Sequence, residues 1–169
     1  AAKQANSRLT EFAADLAPGR ALDAGCGHGA ETLWLAARGW HVTAVDFSTT
    51  ALDIGRSIAT DLGVADRIEW VQADLGTWAP QPSQYDLVVS LYVHINDDIS
   101  EAVQRLAAGV EPGGTLFMVG RQAIEQTQVS VDGARAALRE WDLLVAEEIE
   151  DTERAGGGTD AVIAARRPA

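Results

Sequence analysis

The sequence predicts an α/β fold: a doubly wound, seven-stranded and mostly parallel sheet with an antiparallel last strand and helices on both faces. Three observations carry that expectation. Short runs rich in Val, Ile and Leu alternate with longer amphipathic stretches through the chain, the pattern of repeated strand–helix units. A glycine-rich turn, Asp23-Ala24-Gly25-Cys26-Gly27-His28-Gly29, follows the first such run. A Gly156-Gly157-Gly158 run separates the last two, where a hairpin-like turn would reverse the chain.

The elements follow in order. Residues 4 to 16 read as a helix with Leu9, Phe12, Ala13 and Leu16 on one side, broken by Pro18-Gly19. Arg20 to Ala24 is the first strand. Glu31 to Arg38 has Leu33, Trp34, Ala36 and Ala37 at helical spacing, with Gly39 to end it. His41 to Asp46 is the second strand, and Ser48 or Thr49 caps a helix running to Leu62, with Gly63 behind it. Arg67 to Gln72 and Tyr85 to Leu91 are the third and fourth strands. Asp97 or Asp98 caps a helix carrying Ile99, Ala102, Val103 and Leu106, and Pro112-Gly113-Gly114 turns the chain into a fifth strand, Thr115 to Val119. Val131 to Leu138 reads as a short helix, and Trp141 to Ile149 and Ala161 to Ala165 as the last two strands. Between Arg121 and Ser130 the periodicity is weak.

Bulk properties narrow the class of function. A chain of 169 residues with 47% apolar and 22% charged residues suits one soluble domain spanning residues 1 to 169. Its net charge of -12 disfavours a phosphate backbone as partner, so nucleic acid is not the expected substrate and a small molecule is. One cysteine, Cys26, precludes an internal disulfide. No apolar run reaches the roughly 20 residues of a membrane span, and no basic leader precedes a cleavage-like site. A cytoplasmic protein with no membrane partner is the expectation, and nothing in the sequence sets an oligomeric state.

The glycine loop marks a nucleotide site. Three residues without a Cβ let the chain turn sharply from strand to helix and let its backbone approach a ligand closely, at the carboxyl end of a parallel sheet. Written as Gly25-Cys26-Gly27-His28-Gly29-Ala30, the loop also satisfies the dinucleotide pattern, so its spacing alone leaves the cofactor open. Neighbouring acids discriminate. Asp46 ends the second strand, where its carboxylate can accept from both ribose hydroxyls, a feature shared with nicotinamide enzymes. Asp74-Leu75 after the third strand can meet an adenine amino group, which dehydrogenases do not normally require. Asp23 would repel a pyrophosphate but attract the sulfonium and ammonium of S-adenosylmethionine.

Several ordered motifs then resemble class I S-adenosylmethionine-dependent methyltransferases, especially the small single-domain type related to tellurite-resistance and quinone-biosynthesis methyltransferases. They are Ala21-Leu22-Asp23-Ala24-Gly25-Cys26-Gly27-His28-Gly29, Val45-Asp46-Phe47-Ser48, Gln72-Ala73-Asp74-Leu75, Tyr85-Asp86-Leu87-Val88-Val89-Ser90, and Leu106 with Glu111-Pro112-Gly113-Gly114. The resemblance is dense over about residues 9 to 120 and implies a Rossmann-like fold. It also implies S-adenosylmethionine as cofactor, S-adenosylhomocysteine as product, and a small-molecule methyl acceptor. It places Gly25 and Gly27 against the methionine portion, Asp46 on the ribose, Phe47 near adenine, Asp74 with Leu75 at the adenine amino group, and Ser90 with Leu91 along the methionine side. Cys26 reads as a small side chain packed under the cofactor rather than a nucleophile. Compared with the family, the segment before the first strand and the stretch at residues 121 to 130 after the fifth are short, so an N-terminal lid and part of the acceptor-side loop are expected to be missing from this sequence.

For chemistry, His94 after the fourth strand is the candidate general base, with helix capping as its structural alternative. Tyr92 beside it reads as a second candidate or an apolar wall. Trp34 and Trp70 suit core packing, whereas Trp40, Trp78 and Trp141 sit near element ends where any could line an acceptor pocket. No His or acid pair has metal-ligand spacing, so no metal is expected. Two other readings compete: a NAD(P)-dependent oxidoreductase, for which the chain is short, and a non-catalytic S-adenosylmethionine-binding module.

Overall fold

A computed structural model of the chain describes residues 4–92, 99–121, 131–150 and 158–169. The chain divides into two compact units, Ala1–Trp78 and Ala79–Ala169.

The first unit opens with helix α1, Ser7–Ala13, whose N-cap Asn6 accepts from the Arg8 and Leu9 amides and which buries Leu9 and Ala13. It is shorter than the expected 4 to 16: the Asn6 cap sets its start, and past Ala13 the chain leaves the helix in a turn. Strands β1 (Arg20–Ala24), β2 (His41–Asp46) and β3 (Ile68–Gln72) run parallel, with Arg20 opposite His41 and Val42 opposite Ile68. All but the first residue of β1 is buried, as expected of a parallel strand covered on both sides. Helices α2 (Ala30–Ala37) and α3 (Thr49–Leu62) pack on β2, and α3 also on β3. Of the two expected caps it is Ser48 that starts α3, its Oγ accepting from the Ala51 amide. Gly63 ends it: the Gly63 amide donates to Thr60 and the Val64 amide to Ala59, with φ of 73° at the glycine. Arg67, expected in β3, belongs instead to a 3-10 turn, Ala65–Arg67.

The second unit contains β4 (Tyr85–Leu91), α4 (Ile99–Ala107), β5 (Val110–Arg121), α5 (Val131–Ala137), β6 (Asp142–Glu150) and β7 (Thr159–Arg166). β4 and β5 are parallel, while β7 is antiparallel to both β5 and β6. The expected hairpin relation of the last two strands is therefore present, and β7 also lies between β5 and β6. Pro112-Gly113-Gly114 does not precede the fifth strand as a separate turn. It forms a bulge inside β5, since Tyr85 pairs with Val110 while Leu87 pairs with Thr115. A proline is tolerated there because the looped-out residues leave the ladder. The bulge is held by the chain end, the Gly113 amide donating to Arg167 and the Arg167 amide to Gly114. The sheet order is β3-β2-β1-β4-β5-β7-β6, seven strands of which the last two in sequence carry the antiparallel pairings. The expected caps Asp97 and Asp98, the segment 122–130 and the glycines 156 and 157 lie outside the described residues.

Candidate cofactor site

The first unit brings the loop and its acids together at the carboxyl ends of β1, β2 and β3. Past Ala24 the backbone takes positive φ at Gly25 (81°), Gly27 (55°) and Gly29 (89°), conformations that residues with a Cβ rarely adopt. The loop is tied to the end of β2, where the Gly25 and Cys26 amides both donate to the Val45 carbonyl at 2.8 and 3.0 Å. A Cβ at Gly27 would project into open space, whereas one at Gly29 would come within 2.7 Å of the Trp70 ring. One glycine thus leaves room for a ligand and the other makes room for the core.

Asp46 fixes the geometry. Its Oδ2 accepts from the Gly27 amide and its Oδ1 from the Ser48 amide, both at 3.0 Å, so one carboxylate joins the glycine loop to the start of α3. The cap of the following helix is Ser48, so Asp46 is not needed for that role. Each Asp46 oxygen still has a lone pair to offer a hydroxyl. Beyond it, Phe47 leaves 73% of its surface exposed, an apolar ring in water at the end of a strand. Its carbonyl is held by Gln72 Nε2, and the Ala73 amide donates to the Asp46 carbonyl, so the ends of β2 and β3 are joined. Asp74 forms a tight turn, with Oδ1 accepting from the Gly76 amide at 2.8 Å and its carbonyl from the Thr77 and Trp78 amides. Leu75 beside it is half-buried.

Asp23 differs from these acids in being only 3% exposed. The Thr32 hydroxyl donates to its Oδ2 at 2.7 Å. Burial, followed by the neighbouring Glu31 and opposed by the Thr32 bond, raises its carboxyl to about 7, with Asp46 adding to the rise. A buried carboxyl held so far above its usual range is stabilised as an anion by any cation brought to it. Cys26 packs with Ala44, Leu52, Ile68 and Trp70. Burial and then the charges of Asp23 and Asp46 push its thiol well above the usual range, which keeps it protonated and unreactive.

In the second unit Ser90 is buried and Leu91 half-buried, the last two residues of β4. Tyr92 follows with φ of 54°, and its hydroxyl donates to Asp160 Oδ2 at 2.6 Å. His94 lies outside the described residues. Among the expected pocket aromatics, Trp40 is a fully buried core residue, 2% exposed, while Trp78 and Trp141 are half-buried. Trp34, expected in the core, is half-buried and carries the Arg38 guanidinium over its ring. Sequence reasoning missed Thr32 as partner of Asp23, Trp70 under the loop, and Asp160 as partner of Tyr92. Thr32, nine residues from the buried acid on a helix that the loop opens, was the most accessible of these to sequence. Among the described residues no group of three or more His, Cys, Asp or Glu could hold a metal ion.

A sheet of this order with an acid-flanked glycine loop after β1 defines a nucleotide-binding α/β domain. Comparison with known proteins gives its family. Residues 21–114 match the family described as "Methyltransferase domain". The chain is 33% identical over 108 residues to a ubiquinone biosynthesis O-methyltransferase from Marinobacter nauticus, covering 61% of this chain and 44% of that protein. It is 30% identical over 117 residues to ribosomal RNA small subunit methyltransferase C from Alcanivorax borkumensis, covering 66% and 35%. The chain thus spans less than half the length of these curated relatives. Among solved structures, TehB from Haemophilus influenzae superposes with a TM-score of 0.85 at 18% identity, over 96% of this chain and 62% of that one. The chain belongs to the methyltransferase-domain family. The cofactor of that family is S-adenosylmethionine, and the residues around the loop fit it: a space above Gly27, an exposed ring at Phe47 and a buried acid at Asp23. No helix among the described residues is long and apolar enough to cross a membrane.

Proposed function

We propose that this domain methylates a small-molecule nucleophile, a thiol, hydroxyl, amine or oxyanion, and does so in the cytoplasm. The observation that carries the reading is the pair of acids around one glycine loop, Asp46 bonded to the Gly27 amide and Asp23 buried under the same turn. Two carboxylates there favour a cationic nucleoside over a pyrophosphate, which argues against the NAD(P)-dependent alternative. In this reading Gly25, Cys26 and Gly27 form the wall against the methionine portion, and Asp23 offsets its ammonium. Asp46 takes the ribose hydroxyls, Phe47 covers adenine, and Asp74 with Leu75 meets the adenine edge. Bound S-adenosylmethionine supplies an electrophilic methyl group. The protein's share of the rate is then placement of the acceptor and exclusion of water, and a base is needed only when the acceptor carries a proton to lose.

A small acceptor is supported by the net charge of -12, which opposes an RNA backbone even though one relative is named for ribosomal RNA. The relatives named as O-methyltransferases of ubiquinone biosynthesis support an oxygen acceptor. The test is a panel of thiol, phenol, amine and oxyanion acceptors incubated with S-adenosylmethionine, with S-adenosylhomocysteine release measured by mass spectrometry. Turnover of at least one acceptor is expected. Tight cofactor binding with no turnover across the panel would favour the binding-module alternative.

A further inference from the structure

Two glycines of the first unit, on different elements, are shaped around one side chain that the proposed function does not use. Trp70, in the middle of β3, brings the far edge of its indole, Cζ3 and Cη2, against both the glycine loop and α3. A Cβ at Gly29 of the loop would lie 2.7 Å from Cη2 and 3.1 Å from Cζ3, and one at Gly55 of α3 would lie 2.5 and 2.7 Å from the same two atoms. Neither position accepts a side chain while the ring keeps its place. Gly29 has a second reason to be glycine in its φ of 89°. Gly55 has helical backbone and no such reason, and a glycine inside a helix weakens it relative to alanine. Its Cβ would also lie 2.9 Å from the His28 carbonyl, so loop backbone, helix and ring meet at one point.

The ring stands where the loop has fewest ties to the sheet. The first half of the loop is bonded to β2 through the Gly25 and Cys26 amides on the Val45 carbonyl. The second half turns away, with the Gly27 amide on Asp46 Oδ2 and the Gly29 amide on the Cys26 carbonyl of the loop itself. Trp70 is well anchored for holding that half. It pairs with Ala44 of β2 and packs against the cluster of Cys26, Ala44 and Leu52. It supports the loop at Gly29 and stays clear of Gly27, where a Cβ would meet nothing within 4 Å.

We propose that Trp70 is a positioning residue for the cofactor, a wedge between β3, α3 and the glycine loop that orders the loop before a ligand arrives. This rests on the methyltransferase reading above. The ring touches no part of the cofactor in this role. It acts through Gly29 and the His28 backbone, holding the Gly27 amide on Asp46 so that the carboxylate and the space above Gly27 are already arranged for the nucleoside. A loop ordered in advance spares binding the entropy of ordering it, so loss of the wedge appears as lost affinity.

The test compares wild type with Trp70→Phe, whose ring is too short to reach the two glycines, and with Gly55→Ala, which crowds the same point from the helix. Val64→Ala is the control for lost stability alone, since Val64 is buried just past Gly63, at the opposite end of α3 from the Asp46 bridge. Amide hydrogen exchange in protein without ligand reads the loop, and calorimetric titration of S-adenosylhomocysteine, well below each thermal midpoint, reads its consequence. Trp70→Phe is expected to speed exchange at Gly27 and Gly29 at least about tenfold, as local opening of the loop becomes easier. Affinity for S-adenosylhomocysteine is expected to fall about tenfold with it. Gly55→Ala is expected to move both readouts in the same direction, although it lies on another element. Val64→Ala is expected to lower the midpoint and leave both readouts within about twofold of wild type. Unchanged exchange at Gly27 and Gly29 in Trp70→Phe and Gly55→Ala, faster exchange with wild-type affinity, or an equal loss of affinity in Val64→Ala would overturn the proposal while leaving the methyltransferase reading intact. Failure of wild type to bind S-adenosylhomocysteine at all would overturn both.

Discussion

At the scale of single residues, the site is governed by acids in different surroundings. Asp46 is half-buried and spends its oxygens on two amides, whereas Asp23 is sealed beneath the loop with one hydroxyl partner. Asp23 gives the domain a pH dependence of definite sign. Its folded value, about 7, lies above the unfolded value of 3.8, so between these limits the folded protein holds a proton that the unfolded chain has lost. Stability therefore falls as pH rises across that window and levels off above it. Cofactor binding runs the other way, because a bound cation stabilises the ionised form and binding below pH 7 must expel the proton. Titration calorimetry with S-adenosylmethionine should show affinity rising about tenfold from pH 6 to pH 7.5, with proton release at the lower pH. Asp23→Asn should flatten that dependence; a variant that keeps the wild-type slope would remove Asp23 from the account. The acid's identity and position were visible in the sequence, but its burial was not, since that depends on α2 folding Thr32 back over it.

At the scale of elements, the strands and helices of the first unit were largely legible because their edges carry local chemistry. Ser48 and Gly63 bracket α3 through a side-chain cap and a left-handed turn, both of which depend on residue type at one position. The bulge in β5 was not legible. Pro112-Gly113-Gly114 reads as a turn, and only the pairing of Tyr85 with Val110 and of Leu87 with Thr115 shows that the strand continues past it. Packing between elements was likewise hidden, and Trp70 of β3 is the example. A Cβ at Gly55, in the middle of α3, would lie 2.5 Å from the Trp70 ring and 2.9 Å from the His28 carbonyl. Gly55→Ala would ordinarily stabilise a helix by about 1 kcal/mol. Here the contact with backbone cannot be relieved by a rotamer change, and overpacking of this kind costs about 1 to 3 kcal/mol. Urea denaturation should show a net loss of stability. A gain would mean that Trp70 does not fill the space between loop and helix.

At the scale of the whole molecule, the family follows from motifs spread along the chain, and no single motif decides it, whereas the strand order is visible only in the pairing. The glycine loop alone fits two cofactors, so the discrimination falls on acids that are distant in sequence and gathered by parallel pairing, Asp23 at the end of β1 and Asp46 at the end of β2. The Tyr92 and Asp160 pair, 68 residues apart, is the extreme case: nothing local links them, and only the antiparallel register of β7 brings them together. In the proposed function this arrangement is an S-adenosylmethionine site held together by Asp46. Its most direct test is calorimetric titration of S-adenosylhomocysteine and of NADH into wild type and Asp46→Ala. Wild type is expected to bind S-adenosylhomocysteine more tightly than NADH, and Asp46→Ala to lose that binding or weaken it at least about a hundredfold, as loss of charge-assisted bonds to loop and ligand requires. Affinity retained within a few fold in Asp46→Ala, or NADH bound more tightly than S-adenosylhomocysteine, would contradict it.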